Sequence, residues 1–292
     1  MKFPFRTIAL IGKRQSDAIA EPLLRLAAFL SEQRIAVVVD QETAALLGAH
    51  PYQAMALEEM GGVVDLGIVL GGDGTMLNIA CTLAKSGVPL VGVNQGRLGF
   101  LTDISVETMQ QTIADMLAGQ FVTEQRMMLS ARIVRGETEI CSGLALNEVV
   151  MHRDSVSSMI EFEVRINGEY LYTQRADGLI VATPTGSTAY ALSSGGPILH
   201  PGLELIELVP VSPHTLSNRP IVVDSASVID IKMLGRHASG VRVRFDSHAH
   251  FDLEIGDRLE VMRYAARLYL LHPQGHSYYH MLREKLLWNK TL

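Results

Sequence analysis

Cysteine is scarce in this chain: Cys81 and Cys141 are the two present among 292 residues. A disulfide framework or a cysteine-rich zinc site needs more thiols at close spacing, so neither is expected. Basic charge is not in excess either, with 25 Lys and Arg against 31 Asp and Glu and a formal charge of −6. That balance argues against a broad basic face for DNA or RNA backbones, whereas a small nucleotide needs only a few local donors. No apolar run reaches the roughly 18–20 residues of a membrane span. Residues 1–15 hold too short an apolar stretch for a signal peptide, and 7–11 read better as a first strand. Internal repeats and low-complexity linkers are missing as well. What is there is 48 % hydrophobic and 19 % charged, the balance of a packed globular protein long enough for two domains. The expectation is a soluble, cytoplasmic protein with no nucleic-acid and no membrane partner.

Over residues 1–126 short apolar runs alternate with helical patterns. Strands are expected at 7–11, 36–39, 66–70 and 90–93, with helices between them, one starting at Thr75. Ser105 is placed as the N-cap of a helix carrying Met109, Ile113, Met116 and Leu117, and Gly119 is placed to end it. Buried strands separated by helices imply a parallel, Rossmann-like sheet, so this domain is α/β. From 127 to 271 the pattern changes to short strand-like runs, including 128–134, 144–150, 160–166, 170–174 and 267–271. Asn167-Gly168 between two of them signals a two-residue hairpin. This second domain is expected to be a mostly antiparallel, β-sandwich-like structure. Residues 272–292 contain a helical stretch, 278–288, that can pack back on the first domain.

Three segments can carry chemistry. Gly71-Gly72-Asp73-Gly74-Thr75 lies between a buried strand and a helix. Glycines let the backbone turn sharply, and amides at a helix start suit phosphate oxygens. An aspartate there repels phosphate, which makes sense for a base or a metal ligand; the plainer alternative is a tight turn with an ordinary cap. Neither a Walker G-x-x-x-x-G-K-[ST] nor a Rossmann G-x-G-x-x-G motif occurs. The second segment, Thr183 to Tyr190, is rich in hydroxyls, and Thr188 and Tyr190 can hold a purine by hydrogen bonding and stacking, or simply form a capped loop. The third is Asn147-Glu148, a polar pair inside an apolar run. Adjacent strand residues face opposite sides, so the two can share one ligand only at a strand end or bulge. Arg175 and Asp177 form a similar charged pair, spaced by two.

These segments, together with Gly96-Arg97-Leu98-Gly99-Phe100-Leu101, occur in an order and spacing that resembles the bacterial NAD kinases over essentially the whole chain. The Gly-Gly-Asp-Gly element alone is shared with phosphofructokinases and with diacylglycerol- or sphingosine-type lipid kinases; the combination is specific. The resemblance implies transfer of the γ-phosphoryl of ATP to the 2′-hydroxyl of the adenosine ribose of NAD, giving NADP and ADP. It implies Asp73 as proton acceptor, with Gly74 beside it against the substrate. Gly71, Gly72, Gly74 and Thr75 would form the phosphate loop. Asn147 and Glu148 match the pair holding ribose hydroxyls, Asp177 a contact near the nicotinamide, and Arg175 its neighbour. Thr188, Ala189, Tyr190, Ala191, Leu192 and Ser193 match the segment around the adenine. Ser158 and His248 are carried over as further NAD contacts, although they depart from the family pattern, standing where relatives can carry a larger basic or aromatic residue and, often, Gln. The expected cofactor is Mg²⁺ or another divalent cation, bridging ATP phosphates rather than held in a protein cage. The expected partners are NAD and ATP, or polyphosphate as donor, and a second or further copies in a homodimer or homotetramer.

Two other readings compete. A lipid kinase sharing the loop predicts membrane affinity, for which no basic amphipathic helix is present. A module that senses NAD without turnover would not need a base beside the phosphates. His272, His276 and His280 are spaced by four, as on a metal-binding helix face, but Pro273 and Gly275 interrupt any such helix. The thirteen methionines read as core filler, and Cys81 as buried and inert.

Overall fold

A computed structural model describes residues 5–13, 16–153, 159–235, 240–246 and 249–288. The chain divides into two compact units, Met1–Gln125 with Leu268–Leu292, and Arg126–Arg267.

In the first unit the strands are β1 (Thr7–Gly12), β2 (Ala36–Asp40), β3 (Gln53–Met55), β4 (Leu66–Leu70), β5 (Leu90–Asn94), the short β6 (Ile104–Ser105) and β7 (Phe121–Arg126). Every residue of β4 and β5 is buried, as unbroken apolar runs require when both faces of a parallel sheet are covered. Helices α1 (Ala20–Glu32), α2 (Gln41–Leu47), α3 (Asp73–Leu83) and α4 (Met109–Leu117) connect them. The apolar stripe Leu23, Leu26, Ala27 and Leu30 is the buried face of α1, the spacing that one helix face demands. Ser105 does not cap α4 directly. It ends β6, and its hydroxyl accepts the Thr108 N–H at 3.4 Å in the turn before the helix. Gly119 closes α4 in a left-handed conformation, its N–H bonded to Met116 O at 2.9 Å.

The second unit holds β8 (Leu129–Arg135), β9 (Thr138–Ala145), β10 (Glu148–Arg153), β11 (Ile160–Ile166), β12 (Glu169–Ala176), β13 (Gly178–Ala182), β14 (Leu205–Val211), β15 (Ile221–Asp224), β16 (Ile229–Leu234), β17 (Val241–Phe245), β18 (Ala249–Leu253) and β19 (Arg258–Arg263). They form two six-stranded sheets, ordered β15-β14-β13-β10-β17-β18 and β12-β11-β16-β19-β8-β9, with antiparallel pairing. One core of inward-facing residues, among them Val149, Val181, Val243, Phe162, Ile231 and Val261, is drawn from both sheets. Asn167 and Gly168 form the two-residue turn, both with positive φ, the conformation a type I′ hairpin needs. The expected strand over 144–150 is in fact two, β9 and β10, broken at Leu146 and Asn147. The only helix longer than a single 3₁₀ turn among the described residues of this unit is α5 (Tyr190–Ser193).

The run at 267–271, expected in the β-rich domain, instead returns to the first unit as β20 (Leu268–Pro273), followed by α6 (Tyr278–Leu286). Leu270 pairs in parallel with Leu90 of β5. The completed sheet runs β3-β2-β1-β4-β5-β20-β7, with β6 beside β5. The chain proceeds outward from β1 through β2 and β3, then crosses to β4 on the other side. That reversal makes a crevice at the carboxyl ends of β1 and β4, where open α/β sheets bind ligands.

Candidate functional site

The Gly71–Thr75 loop leaves β4 at this crevice, so its position follows from sheet topology. Two of its amides are already used: Gly71 N–H bonds Val93 O at 2.9 Å and Thr75 N–H bonds Gly72 O at 3.0 Å. The expected cradle of exposed amides is therefore narrower than the glycine pattern implies. It centres on exposed Gly72 and Gly74, where α3 begins and helix N–H groups lack intrahelical partners.

Asp73 opens α3, and its carboxylate is held from a second segment. Phe100 N–H donates to Oδ2 at 2.9 Å, Leu101 N–H to Oδ1 at 3.0 Å, and the Thr102 hydroxyl to Oδ1 at 3.2 Å. Gly99 makes this possible: a Cβ there would fall on Oδ1 of Asp73 and on the Thr102 hydroxyl. The Gly96–Leu101 motif thus acts as a clamp on the aspartate. Three donors from a rigid turn fix the direction of both oxygens.

In the second unit Asn147 and Glu148 stand at the strand break, and Asp246 is the cause. Its carboxylate accepts the N–H groups of Leu146, Asn147 and Glu148 at 2.9, 2.8 and 3.0 Å. Those amides would otherwise extend a strand. The reading of the sequence missed Asp246; its neighbour His248, like Ser158, lies outside the described residues. The hydroxyl-rich segment is bound to the same break: Thr183 N–H and Oγ1 donate to Asn147 O at 2.8 Å and Leu146 O at 2.6 Å. Gly186 passes so close that any Cβ would strike the Asn147 carbonyl. Buried Arg126 donates to the Thr185 hydroxyl at 3.2 Å.

Glu148 is the electrostatic anomaly of this unit. Burial, with a lesser contribution from the Asp246 charge, pushes its carboxyl up to about 8 against the pull of Arg244. Its Oε2 is buried with no hydrogen-bond partner among the described residues. Two strands away, across Ala182, lies fully buried Glu207, pushed up to about 7 by burial, both its oxygens likewise without a partner. The segment containing α5 covers this face through Ala191, which packs on Val150, Ile180, Ala182 and Val209. Tyr190 is 43 % exposed, leaving its ring free for stacking. The Thr188 and Ser193 hydroxyls are turned to the backbone, donating to Thr185 O at 3.3 Å and Tyr190 O at 3.0 Å.

Arg175 and Asp177 are not brought to this group. They lie at the opposite end of β13, since Glu148 pairs with Ala182 and His152 with Gly178. Asp177 is ion-paired with Arg153 at 2.9 Å, and Arg175 is exposed. Cys81, expected to be buried, is only half-buried.

The chain as a whole is similar to known proteins. Residues 8–121 match the family model of the ATP-NAD kinase N-terminal domain, and residues 146–272 that of the ATP-NAD kinase C-terminal domain. The NAD kinase of Nitrosospira multiformis is 58 % identical over 289 residues, covering 99 % of this chain and 98 % of its own. That of Thiobacillus denitrificans is 46 % identical over the full length of both. Among solved structures, yeast NADH kinase complexed with NADH superposes with a TM-score of 0.89 at 25 % identity, covering 99 % of this chain and 89 % of that one. An NAD kinase from Archaeoglobus fulgidus in complex with ATP gives 0.73 at 25 % identity, covering 97 % of each chain.

Proposed function

The chain belongs to the ATP-NAD kinase family, and from that premise we propose that it transfers the γ-phosphoryl of ATP to the 2′-hydroxyl of the adenosine ribose of NAD, with Asp73 as proton acceptor. The observation that carries the assignment is the clamp on Asp73, whose carboxylate is fixed by Phe100, Leu101 and Thr102. A carboxylate so directed can take the O2′ proton as oxygen attacks phosphorus and ADP departs. Positioning supplies most of the rate in such transfers, and a rigid clamp provides it.

The Gly71–Thr75 loop suits ATP phosphates through backbone at the start of α3. The three donors leave one acceptor position on Oδ2 of Asp73 open for the O2′ proton. Mg²⁺ or another divalent cation would be held here by the phosphates of ATP and would supply charge neutralisation. Asn147 and Glu148 hold the ribose hydroxyls. A buried glutamate that keeps its proton near neutrality can both donate to and accept from a diol, and its unpartnered Oε2 gives that ligand a place. Tyr190 stacks on the adenine. We assign the roles near the nicotinamide to Asp177 and Arg175 on family resemblance, and likewise a homodimeric or homotetrameric assembly.

The test is NADP formation from NAD with ATP and Mg²⁺, read through an NADP-specific dehydrogenase, with polyphosphate replacing ATP and NADH replacing NAD in parallel. Turnover that falls by about 10²–10⁴ in Asp73→Asn is expected. Folded protein that binds NAD but turns over with no donor would overturn the assignment in favour of an NAD-sensing module.

A further inference from the structure

The first unit contains a second cluster of ionisable groups that the kinase chemistry does not use. Of the three histidines at four-residue spacing, the structure brings two together, and not on a helix. His272 is the next-to-last residue of β20, His276 sits in the turn after Pro273, and His280 lies exposed on α6. The rings of His272 and His276 stack with centroids 3.8 Å apart and planes at 17°. Both direct Nδ1 at the same oxygen, Oδ2 of Asp103, at 2.9 and 2.7 Å. On its other side His272 meets the carboxylate of Glu124 of β7, Nε2 to Oε2 being 3.1 Å. Asp103 is 92 % buried by its side-chain exposure of 8 %, yet its Oδ1 has no hydrogen-bond partner among the described residues.

We propose that Asp103, His272 and His276 form a binding site for one divalent transition-metal ion of the zinc class, with Glu124 orienting His272 from behind. The ligand atoms of the three residues all lie within 4.8 Å of one another. Bonds of about 2.0–2.1 Å to a tetrahedral ion set ligand atoms about 3.3 Å apart. The 2.9 and 2.7 Å separations here need to open by only about half an ångström to admit it. Two nitrogens and one carboxylate oxygen are a borderline donor set that selects zinc, cobalt or nickel over magnesium or calcium. A histidine that ligates through one nitrogen and meets a carboxylate through the other is the usual outer arrangement of such sites, fixing the tautomer.

The site is sheltered from solvent, with the His272 ring 1 % and the Asp103 side chain 8 % exposed. A bound ion takes the place of the two contacts between Nδ1 and Asp103 Oδ2. It would staple four stretches of the first unit: the segment after the Asp73 clamp, β7, β20 and the turn into α6. Magnesium carried by ATP is a different ion at a different place, so this site stands whether or not the kinase assignment does.

The decisive experiment uses the full chain, stripped with a chelator and dialysed without nucleotide against Zn²⁺, with bound metal counted by elemental analysis. Co²⁺ loaded in the same way provides an optical signature. The wild type and His280→Gln should each retain about one ion per chain and show the intense ligand-field band of cobalt held four-coordinate by Asp103, His272, His276 and one water. His276→Gln should lose both, while Glu124→Gln should keep the band with affinity reduced about 10–100-fold. Metal-free circular dichroism of the variants, unchanged from wild type, separates loss of a ligand from loss of fold. No ion retained by the wild type, or equal retention by His276→Gln, overturns the proposal.

Discussion

Asp73 in the first unit and Glu148 in the second are carboxylates beside a strand end, yet their surroundings are opposite. Asp73 is reached by two amides and a hydroxyl, so its oxygens point in fixed directions. Glu148 is buried, lies near the Asp246 charge, keeps its proton to about pH 8 and has no partner for Oε2 among the described residues. An unpaired buried polar atom costs stability, roughly 1–3 kcal/mol, which a ligand hydroxyl can restore on binding. One carboxylate is held in place by the protein; the other, on the proposed assignment, is completed by a ligand. The first arrangement suits a group that acts on the reacting atoms, the second a group that recognises a sugar.

The comparison is broken most severely by filling the clamp. In Gly99→Ala the new Cβ collides with the Asp73 carboxylate and the Thr102 hydroxyl. Displacing a reacting group by about 1 Å costs on the order of 10²-fold, so kcat should fall that far with KM for NAD little changed in steady-state assays. A smaller effect, on stability, sharpens the Glu148 side. The folded chain holds that proton up to about pH 8, whereas the unfolded chain releases it near the ordinary value of 4.5. The stability that depends on the neutral side chain is thus complete below 4.5 and is lost as pH rises through about 8. Glu148→Gln cannot ionise, so thermal melts should show it gaining on the wild type between pH 5 and 8, with its NAD affinity reduced throughout. The mildest change is Thr102→Val, which removes the hydroxyl donor and keeps both amides on Asp73. A loss of kcat of about 3–10-fold is expected, the equivalent of about 0.6–1.4 kcal/mol, because both amides still hold the carboxylate in place.

How far the sequence could be read differs in the same way between regions. The parallel sheet was legible because runs such as Leu66–Leu70 are apolar without interruption, and the hairpin at Asn167-Gly168 because its turn chemistry is local. The loop around Asp73 was legible as a site, but the clamp on it was not, because its donors come from 27 to 29 residues downstream. For the same reason the strand break at Leu146 and Asn147 was invisible: it depends on Asp246, about 100 residues away. Hydrophobic alternation carries no trace of a carboxylate arriving from so far along the chain. The destination of residues 267–271 was misjudged because a strand's pattern reports burial, not which sheet receives it. The pairing of His272 with His276 was hidden by the reverse error. Four-residue spacing suggested a helix, Pro273 ruled the helix out, and the tight turn that replaces it joins the rings anyway.

The most direct test of the division between acting and recognising carboxylates is calorimetric titration of NAD into wild type, Asp73→Asn and Glu148→Gln, beside steady-state NADP formation by each. The expected result is a crossed pattern. Asp73→Asn binds NAD within about threefold of wild type while turnover collapses, and Glu148→Gln loses affinity more than it loses kcat. Equal loss of binding and turnover in Asp73→Asn, or unaltered NAD affinity in Glu148→Gln, would contradict it.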